Sequence, residues 1–325
     1  VITIIIILVT VTVVYAYERE YYEESSNPNP SFGSWSEVHG PITDHFDQWL
    51  QRNGYEDMDY AQRYFGLYGS YGGRTKATQK IHHTPIVFIH GNEDGALAVP
   101  GNYTSGSSAQ IQYFISQGYT SAELYVTTWG QRDDRYAMEN DHSCAMLSRL
   151  RRFIEAVMVY TESRWINVIS HSMGVTVARK VVKGGKIEQN DGVSCDLGPP
   201  LTNKVGVFIG IAGANYGMCP CQGPFALLKT CSKKNGFWPG DQCGSNHLKC
   251  HSNDLELPCE VDDYSHLLKE MNEDGIREGQ FVYSFWTLND DIIPNSARVW
   301  GRPTSIIPNG DHVFIFQNHT HMQAK

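Results

Sequence analysis

The sequence predicts an α/β fold in which a mostly parallel sheet carries helices on both faces. Short runs rich in β-branched residues alternate along the 325-residue chain with segments of helical period. Strands separated by helices pair in parallel, through right-handed crossovers. Six of the eight cysteines lie between Cys219 and Cys259, so we expect a disulfide-rich insert, 219–259, in an otherwise single fold.

The predicted elements follow one another without a linker that would divide the fold. An apolar face formed by Phe46, Trp49 and Leu50 predicts a first helix that ends at Gly54. Residues 40–325 are therefore expected to form one α/β domain. Strands are predicted at 86–89, 124–129, 166–169, 205–211, 281–288 and 312–316, and helices at 107–117, 143–160, 175–182 and 265–271.

The N-terminal residues differ in composition from the rest. Residues 1–16 are uncharged and mostly apolar, and Val14 and Ala16 form a signal-peptidase pattern, so we expect a secretory signal peptide cleaved before Tyr17. A membrane anchor is the alternative, although a membrane-spanning helix needs about 20 residues. Residues 17–39 are rich in Tyr, Glu, Ser and Pro and are expected to form an extended leader.

The net charge of −9 argues against nucleic acid or an anionic membrane as the main partner. Crowded cysteines in a secreted chain indicate disulfides, whose connectivity the sequence does not determine. A zinc site that combines cysteines with His247 and His251 is the alternative, but the paired spacing of zinc ligands is missing. We therefore expect no metal and no organic cofactor. The cysteines are Cys144, Cys195, Cys219, Cys221, Cys231, Cys243, Cys250 and Cys259.

A strand-turn-helix pattern surrounds Ser172. Residues 166–169 suit a buried strand, residues 175–182 suit a helix, and Ser-His-Ser-Met-Gly lies between them. This pentapeptide is a variant of the Gly-x-Ser-x-Gly nucleophile elbow, with the small Ser170 in place of the first glycine. The elbow holds its serine in a strained backbone with Oγ exposed above the sheet. Ser172 is the predicted nucleophile, and a serine in an ordinary turn is the alternative.

A serine nucleophile on a parallel sheet needs two N–H donors for the oxyanion. The strand at 86–89 ends in His90-Gly91-Asn92, where the glycine allows the backbone to turn. One oxyanion-hole donor is therefore predicted at the N–H of Asn92. The other is predicted at the N–H of Met173, which follows the nucleophile. A plain turn at His90-Gly91 is the alternative.

The acid that completes a triad is expected after a later strand, in the chain order Ser, Asp, His. The strand at 281–288 is followed by Asn-Asp-Asp-Ile-Ile-Pro at 289–294. Asp290 is the first residue of a turn of the form Asp-x-Ile-Ile-Pro. We therefore predict that Asp290 is the acid and that Asp291 is a solvated neighbour. Two turn-forming aspartates without a catalytic role are the alternative.

The histidine must follow the last strand, which leaves His319 and His321. His312 is excluded because it begins that strand, at the opposite end. The two candidates are two positions apart, so one alone can be well aimed, and we select His321. His319 lies inside a glycosylation sequon that begins at Asn318, where a glycan would crowd the site. A second sequon begins at Asn102 in a polar loop.

These motifs, in this order, resemble the class 2 lipase family of α/β-hydrolases and especially its secreted nematode group. The last strand in that family leads into a Phe-x-x-x-x-His pattern, which Phe316 and His321 match. The resemblance implies a minimal α/β-hydrolase core that acts on acyl esters of lipids. It extends from about residue 40 to the end of the sequence, and its further segments are 40–42, 49–50, 53–55, 85–92, 211–217, 235–237 and 257–259.

The predicted function is a secreted carboxylester hydrolase, a lipase that cleaves acylglycerols or related lipid esters through Ser172, Asp290 and His321 and an acyl-enzyme. Its expected partners are the lipid ester and, transiently, a lipid interface, with no nucleic acid and no obligate protein partner. Two alternatives stay open. One is a secreted binding protein that has the same fold but no catalytic activity, and the other is a thioesterase or amidase with the same triad.

The insert contains apolar side chains in an otherwise polar segment. It follows the strand at 205–211 on the carboxyl side of the sheet, where ligands bind in open α/β folds. We expect these side chains to form one wall of the acyl site, and a small core of the insert itself is the alternative. They are Phe225, Leu227, Leu228, Phe237 and Trp238.

Overall fold

A seven-stranded sheet is the centre of the computed structural model, which describes residues 38–101, 104–241, 243 and 263–325. The expected signal peptide, most of the leader, Asn102, His247, His251, Cys250 and Cys259 lie outside these residues. The described strands are β1 (Ser70–Tyr71), β2 (Ile86–Ile89), β3 (Leu124–Thr127), β4 (Ile166–His171), β5 (Lys186–Glu188), β6 (Ser194–Asp196), β7 (Val205–Ile211), β8 (Phe281–Thr287), β9 (Arg298–Val299), β10 (Arg302–Pro303) and β11 (His312–Phe316).

The order of strands in the sheet is β1-β3-β2-β4-β7-β8-β11. All neighbours pair in parallel except β1, which pairs antiparallel with β3 at one edge. Every residue of β2 and β3 is buried, as expected for parallel strands covered on both faces. Two separate hairpins, β5–β6 and β9–β10, lie outside this sheet.

The helices cover the sheet and begin at recognisable caps. Thr43 accepts a hydrogen bond from the N–H of Phe46 (3.3 Å), and Ser143 accepts one from the N–H of Met146 (3.4 Å). Within the described ranges, none of the helices has both the length and the apolar character needed to cross a membrane. The helices of eight or more residues are α1 (Asp44–Arg52), α2 (Ser108–Ser116), α3 (Cys144–Thr161), α4 (Met173–Lys183) and α5 (His266–Glu273).

The predicted α/β class with a mostly parallel sheet is confirmed. The strands β2, β7 and β11 have the predicted bounds, and the long helices differ from their predicted bounds by a few residues. The strand β1 and both hairpins were not predicted from the sequence. These strands contain two or three residues each, too few for a period-2 pattern to be recognised.

Three disulfides join cysteines of the described residues. Cys219 pairs with Cys243 and Cys221 with Cys231 inside the insert, whereas Cys144 pairs with Cys195 across 51 positions of sequence. These six cysteines are therefore not available as zinc ligands. The Cys144–Cys195 bond attaches the first residue of α3 to the hairpin strand β6.

Charged side chains are buried along α4, where a mostly apolar helix was expected. All eleven residues of α4 are buried, and Arg179 donates to Glu278 at 2.8 Å. The same guanidinium donates to Asn215 and Asn272 at 2.9 Å each. Lys183 donates to Asp274 at 2.7 Å. This network gives each buried charge a partner where α4 packs against α5, which offsets the cost of removing these charges from water.

Glu278→Ala should lower the free energy of unfolding by about 3–5 kcal/mol, because it leaves the Arg179 guanidinium buried without its counter-charge. Urea denaturation followed by circular dichroism measures this change. Asp263→Ala is the control, since Asp263 is exposed and lies 3.7 Å from Lys269, and its midpoint should match that of the unaltered protein. Equal midpoints for both variants would contradict this role of the network.

Three histidines are buried in the core and are held neutral. Burial lowers the pKa of His90 and of His142 to about 4, and lowers that of His171 well below its ordinary value. His142 shows how such a ring is satisfied without charge, since its Nδ1 lies 2.9 Å from the carbonyl oxygen of Asn235 and its Nε2 lies 2.7 Å from Thr176 Oγ1.

The protein should lose stability as the pH falls from about 6.5 towards 4. The unfolded chain binds protons on these rings below about pH 6.5, whereas the folded protein excludes them from His90 and His142 until about pH 4. Between pH 7 and pH 5 the free energy of unfolding should fall by about 2 kcal/mol for each of His90 and His142, and the lowered pKa of His171 changes it in the same direction. Urea titrations at both pH values test this, and His142→Gln should show a shallower dependence. An unchanged free energy at pH 5 would be incompatible with neutral buried rings.

Candidate active site

The predicted site residues follow four strands of the sheet, each at its carboxyl end. Asn92 follows β2, Ser172 follows β4, Asp290 follows β8 and His321 follows β11. Because these strands are parallel, their carboxyl ends meet at one edge of the sheet. The topology therefore brings residues that are up to 229 positions apart in the sequence to the same edge of the sheet.

Ser172 occupies a strained turn between β4 and α4. Its backbone has φ 55° and ψ −131°, in the left-handed half of conformational space that non-glycine residues rarely adopt. Glycines on both sides make room for this turn. A Cβ on Gly91 would lie 2.8 Å from Ser172 Cβ, and one on Gly174 would lie 2.6 Å from the carbonyl oxygen of Ile89. The local backbone has the features predicted for a nucleophile elbow.

His321 and Asp290 form a buried hydrogen-bonded pair. The ring nitrogen Nδ1 of His321 lies 2.8 Å from Oδ2 of Asp290, and both side chains are almost fully buried. The other carboxylate oxygen, Oδ1, accepts from the N–H groups of Ile292 (3.0 Å) and Ile293 (2.7 Å). The carboxylate is thus fixed by its own turn, and it orients the imidazole.

Two further side chains hold the backbone of His321. Asp291 Oδ1 accepts from the N–H of His321 at 3.0 Å, so Asp291 is more than the solvated neighbour that was expected. His171 Nε2 lies 3.0 Å from the carbonyl oxygen of His321, and the two rings are 4.7 Å apart. Since a carbonyl only accepts, His171 carries its proton on Nε2. His171, which precedes Ser172 in the sequence, therefore contacts His321 directly.

His319, the other candidate, and His312, which the sequence excluded, lie elsewhere. The ring of His319 packs 5.1 Å from the ring of Phe316, and its carbonyl oxygen accepts from Thr287. His312 begins β11 at the opposite edge of the sheet and stacks on Tyr283 at 6.1 Å. Of the three, His321 is the one hydrogen-bonded to Asp290.

The peptide between Gly91 and Asn92 is oriented by His90. The N–H of Trp129 donates to Nε2 of His90 at 3.0 Å, so the ring carries its proton on Nδ1 and donates it to the carbonyl oxygen of Gly91 at 2.8 Å. The N–H of Asn92 belongs to the same rigid peptide. Among the described residues, no acceptor is bonded to the N–H of Asn92 or to that of Met173.

A buried ion pair connects the loop after β2 to the segment after His321. Lys325 Nζ bonds Asp94 Oδ2, and both side chains are nearly inaccessible to solvent. Burial alone would raise the pKa of Asp94, but Lys325 and the N–H groups around the carboxylate hold that pKa at about 2. Asp94 Oδ1 accepts from the N–H groups of Gly95 (2.8 Å) and Gly106 (3.0 Å).

The apolar residues of the insert do not share one environment. Phe237 is buried and packs 5.1 Å from the ring of His142, and Trp238 is also buried. Phe225 and Leu227 are 57% and 90% exposed. A single apolar wall made of all five side chains is therefore wrong, because two are buried, two face solvent and Leu228 is partly buried.

Residues 83–325 match the family model for class 2 lipases. The sequence has no significant match among curated proteins. The structure is similar to Aspergillus fumigatus lipase B (11% identity, 78% of this chain and 49% of that chain, TM-score 0.46) and to Bacillus licheniformis lipase BlEst2 in its propeptide form (12%, 80% and 50%, TM-score 0.42). It is also similar to the Paleococcus ferrophilus monoacylglycerol lipase (14%, 78% and 88%, TM-score 0.41).

The chain spans about half the length of the fungal lipase. The family match, by contrast, covers well over half of this chain and includes the residues after β2, β4, β8 and β11 described above. The central sheet is mostly parallel and is accompanied by helices, as the sequence predicts. The chain belongs to the class 2 lipase family.

Proposed function

We propose that the protein is a secreted serine ester hydrolase, a lipase that cleaves acylglycerols or related lipid esters. The observation that carries this proposal is the buried Asp290–His321 pair (2.8 Å) beside the strained turn at Ser172. Membership of the class 2 lipase family supports an ester of a lipid as the substrate. The three disulfides and the apolar residues 1–16 support secretion.

In the first half-reaction, Ser172 Oγ attacks the ester carbonyl carbon while His321 Nε2 takes the hydroxyl proton. Asp290 keeps the imidazole proton on Nδ1 and stabilises the imidazolium that forms. The N–H groups of Asn92 and Met173 donate to the negative oxygen of the tetrahedral intermediate. His321 then returns the proton to the leaving alcohol, and the acyl group stays on Ser172.

Water completes the reaction by the same steps in reverse. His321 takes a proton from a water molecule, whose oxygen attacks the acyl carbon and again places negative charge in the hole formed by the two amides. Collapse of this intermediate releases the carboxylic acid, and the proton returns to Ser172 Oγ. No step requires a metal or an organic cofactor.

Ser172→Ala should lower kcat/KM for p-nitrophenyl esters by about 10⁴-fold or more, because the attacking oxygen is removed. It should also abolish labelling by a fluorophosphonate, with an unchanged circular dichroism spectrum. Ser170→Ala is the matched control, since Ser170 is two residues away and its hydroxyl donates to the carbonyl oxygen of Ile209 (3.0 Å). Its rate should stay within about tenfold of the unaltered protein.

Labelling that persists in the Ser172→Ala variant would refute the assignment of the nucleophile. An unaltered protein that folds but turns over no ester would indicate a binding protein. A preference for thioesters or anilides over oxygen esters, measured on substrates with the same acyl chain, would indicate a thioesterase or an amidase.

The two aspartates should differ in what their substitution changes. Asp290→Asn should lower kcat by about 10⁴-fold, because the amide no longer holds the imidazole in the correct tautomer. Asp291→Asn should stay within about tenfold, because its side-chain oxygen can still accept from the N–H of His321. Asp291→Ala should be slower than Asp291→Asn, because that acceptor is lost. Steady-state kinetics on one ester give the ranking, and a more active Asp290→Asn than Asp291→Asn would reverse the assignment.

A further inference from the structure

The side chain of Asn92 is clamped by the segment that precedes α3. Its Nδ2 donates to the carbonyl oxygen of Ala137 at 2.8 Å, and its Oδ1 accepts from Asn140 Nδ2 at 2.7 Å and from the N–H of Glu93 at 3.1 Å. A carbonyl only accepts and a backbone N–H only donates, so these contacts allow one orientation of the Asn92 amide. Every polar atom of this side chain therefore has a partner.

Thr230 of the insert contacts the same segment before α3, the one that contains Ala137 and Asn140. Thr230 Oγ1 lies 2.8 Å from the carbonyl oxygen of Ala137 and also contacts that of Asn140. Thr230 is 3% exposed and is the neighbour of Cys231, which is bonded to Cys221. The Thr230 hydroxyl has one proton and both carbonyl oxygens only accept, so it donates to one of them at a time, and either bond holds this segment.

Further contacts continue along the segment towards α3. The N–H of His142 donates to the carbonyl oxygen of Asn235 at 3.1 Å, and Asn235 Nδ2 donates to Asp141 Oδ2 at 3.0 Å. The disulfide of Cys144 then attaches the start of α3 to β6. The segment from Ala137 to Cys144 is therefore held at several points, and two of its residues in turn hold Asn92.

We propose that Thr230 is a positioning residue for the oxyanion hole. Its hydroxyl holds the segment that contains Ala137 and Asn140, this segment holds the Asn92 side chain, and the side chain keeps the Asn92 N–H aimed at the oxyanion. This inference rests on the proposed function and gives the disulfide-bonded insert a part in transition-state stabilisation. His90 fixes the same peptide through the carbonyl oxygen of Gly91 (2.8 Å), so the donor is held from both sides of the loop.

Thr230→Val tests the proposal, because valine keeps the shape of threonine and removes its hydroxyl. The expected result is a kcat that is about 10- to 30-fold lower with KM within about twofold, since loss of a whole oxyanion donor costs about 10²–10³ and a misaligned donor retains part of its effect. Thr230→Ser, which keeps the hydroxyl, should recover most of the rate.

A trifluoromethyl ketone analogue of the ester separates positioning from a general loss of structure. Ser172 Oγ adds to its carbonyl carbon, the hydroxyl proton passes to His321, and the resulting oxyanion faces the N–H groups of Asn92 and Met173. The inhibition constant should rise in Thr230→Val by the same factor by which kcat/KM falls. The matched control is Thr161→Val, which removes a buried threonine hydroxyl that donates to the carbonyl oxygen of Val157 (2.7 Å) within α3, and it should change neither quantity.

Asn140→Ala provides a second route if Thr230→Val does not fold, because it removes the other hydrogen bond to Asn92 at a half-buried position. It should lower kcat and inhibitor affinity together. The kcat of the double variant, which combines Thr230→Val and Asn140→Ala, should lie within about twofold of the kcat of the slower single variant, because both substitutions act through Asn92.

Unchanged kcat and inhibitor affinity in a folded Thr230→Val would overturn the proposal, and so would a lower kcat with unchanged inhibitor affinity. If Thr230→Val does not fold, the same results in Asn140→Ala would overturn it. If the unaltered protein hydrolyses esters and Ser172→Ala does not, those results overturn the inference alone. A folded protein without Ser172-dependent turnover would overturn the proposed function and this inference together.

Discussion

The positive φ of Ser172 is the constraint on which the rest of the site depends. A turn this tight between β4 and α4 brings the start of the helix against the loop after β2, so the positions in contact must be small. Gly91 and Gly174 meet that requirement, since a side chain on either would approach a neighbour to less than 3 Å. A helix that starts so close to the sheet is buried on all sides. Its charged residues, such as Arg179, must then find partners inside the protein.

The same turn also determines how the last loop is attached. His171 belongs to β4 and bonds the carbonyl oxygen of His321, while Asp291 and Asp290 bond its N–H and its ring. Three side chains therefore hold one residue, and two of them come from adjacent positions after β8. Because burial keeps His171 neutral, its hydrogen bond to His321 adds no positive charge beside an imidazole that becomes cationic during the proposed reaction.

Much of the sheet could be predicted because its strands are short runs rich in apolar residues. Such runs gave β2, β7 and β11 with their observed ends, although β11 lies at the edge of the sheet and is only partly buried. The order of motifs along the chain also predicted Asp290 and His321 as partners, and a hydrogen bond joins them in the structure. The local sequence was sufficient to predict Asp290 and His321, since each lies in the loop that follows a recognisable strand.

The remaining features depend on contacts that no local pattern records. The antiparallel strand β1 exists through its pairing with β3, and the partner of Cys144 is set by the position of β6 relative to α3. The roles of Asp291, Asn140 and Thr230 come from hydrogen bonds across 30, 48 and 93 residues of sequence. These polar residues lie in loops, where hydrophobic periodicity carries no information about partners.

The most direct test of this account is a crystal structure of the protein inhibited by an alkyl fluorophosphonate. The account predicts a covalent bond from phosphorus to Ser172 Oγ, with the phosphoryl oxygen about 2.7–3.1 Å from the N–H nitrogens of Asn92 and Met173. The imidazole of His321 should keep its hydrogen bond to Asp290. An adduct on another residue, or a phosphoryl oxygen that contacts neither amide, would contradict the account.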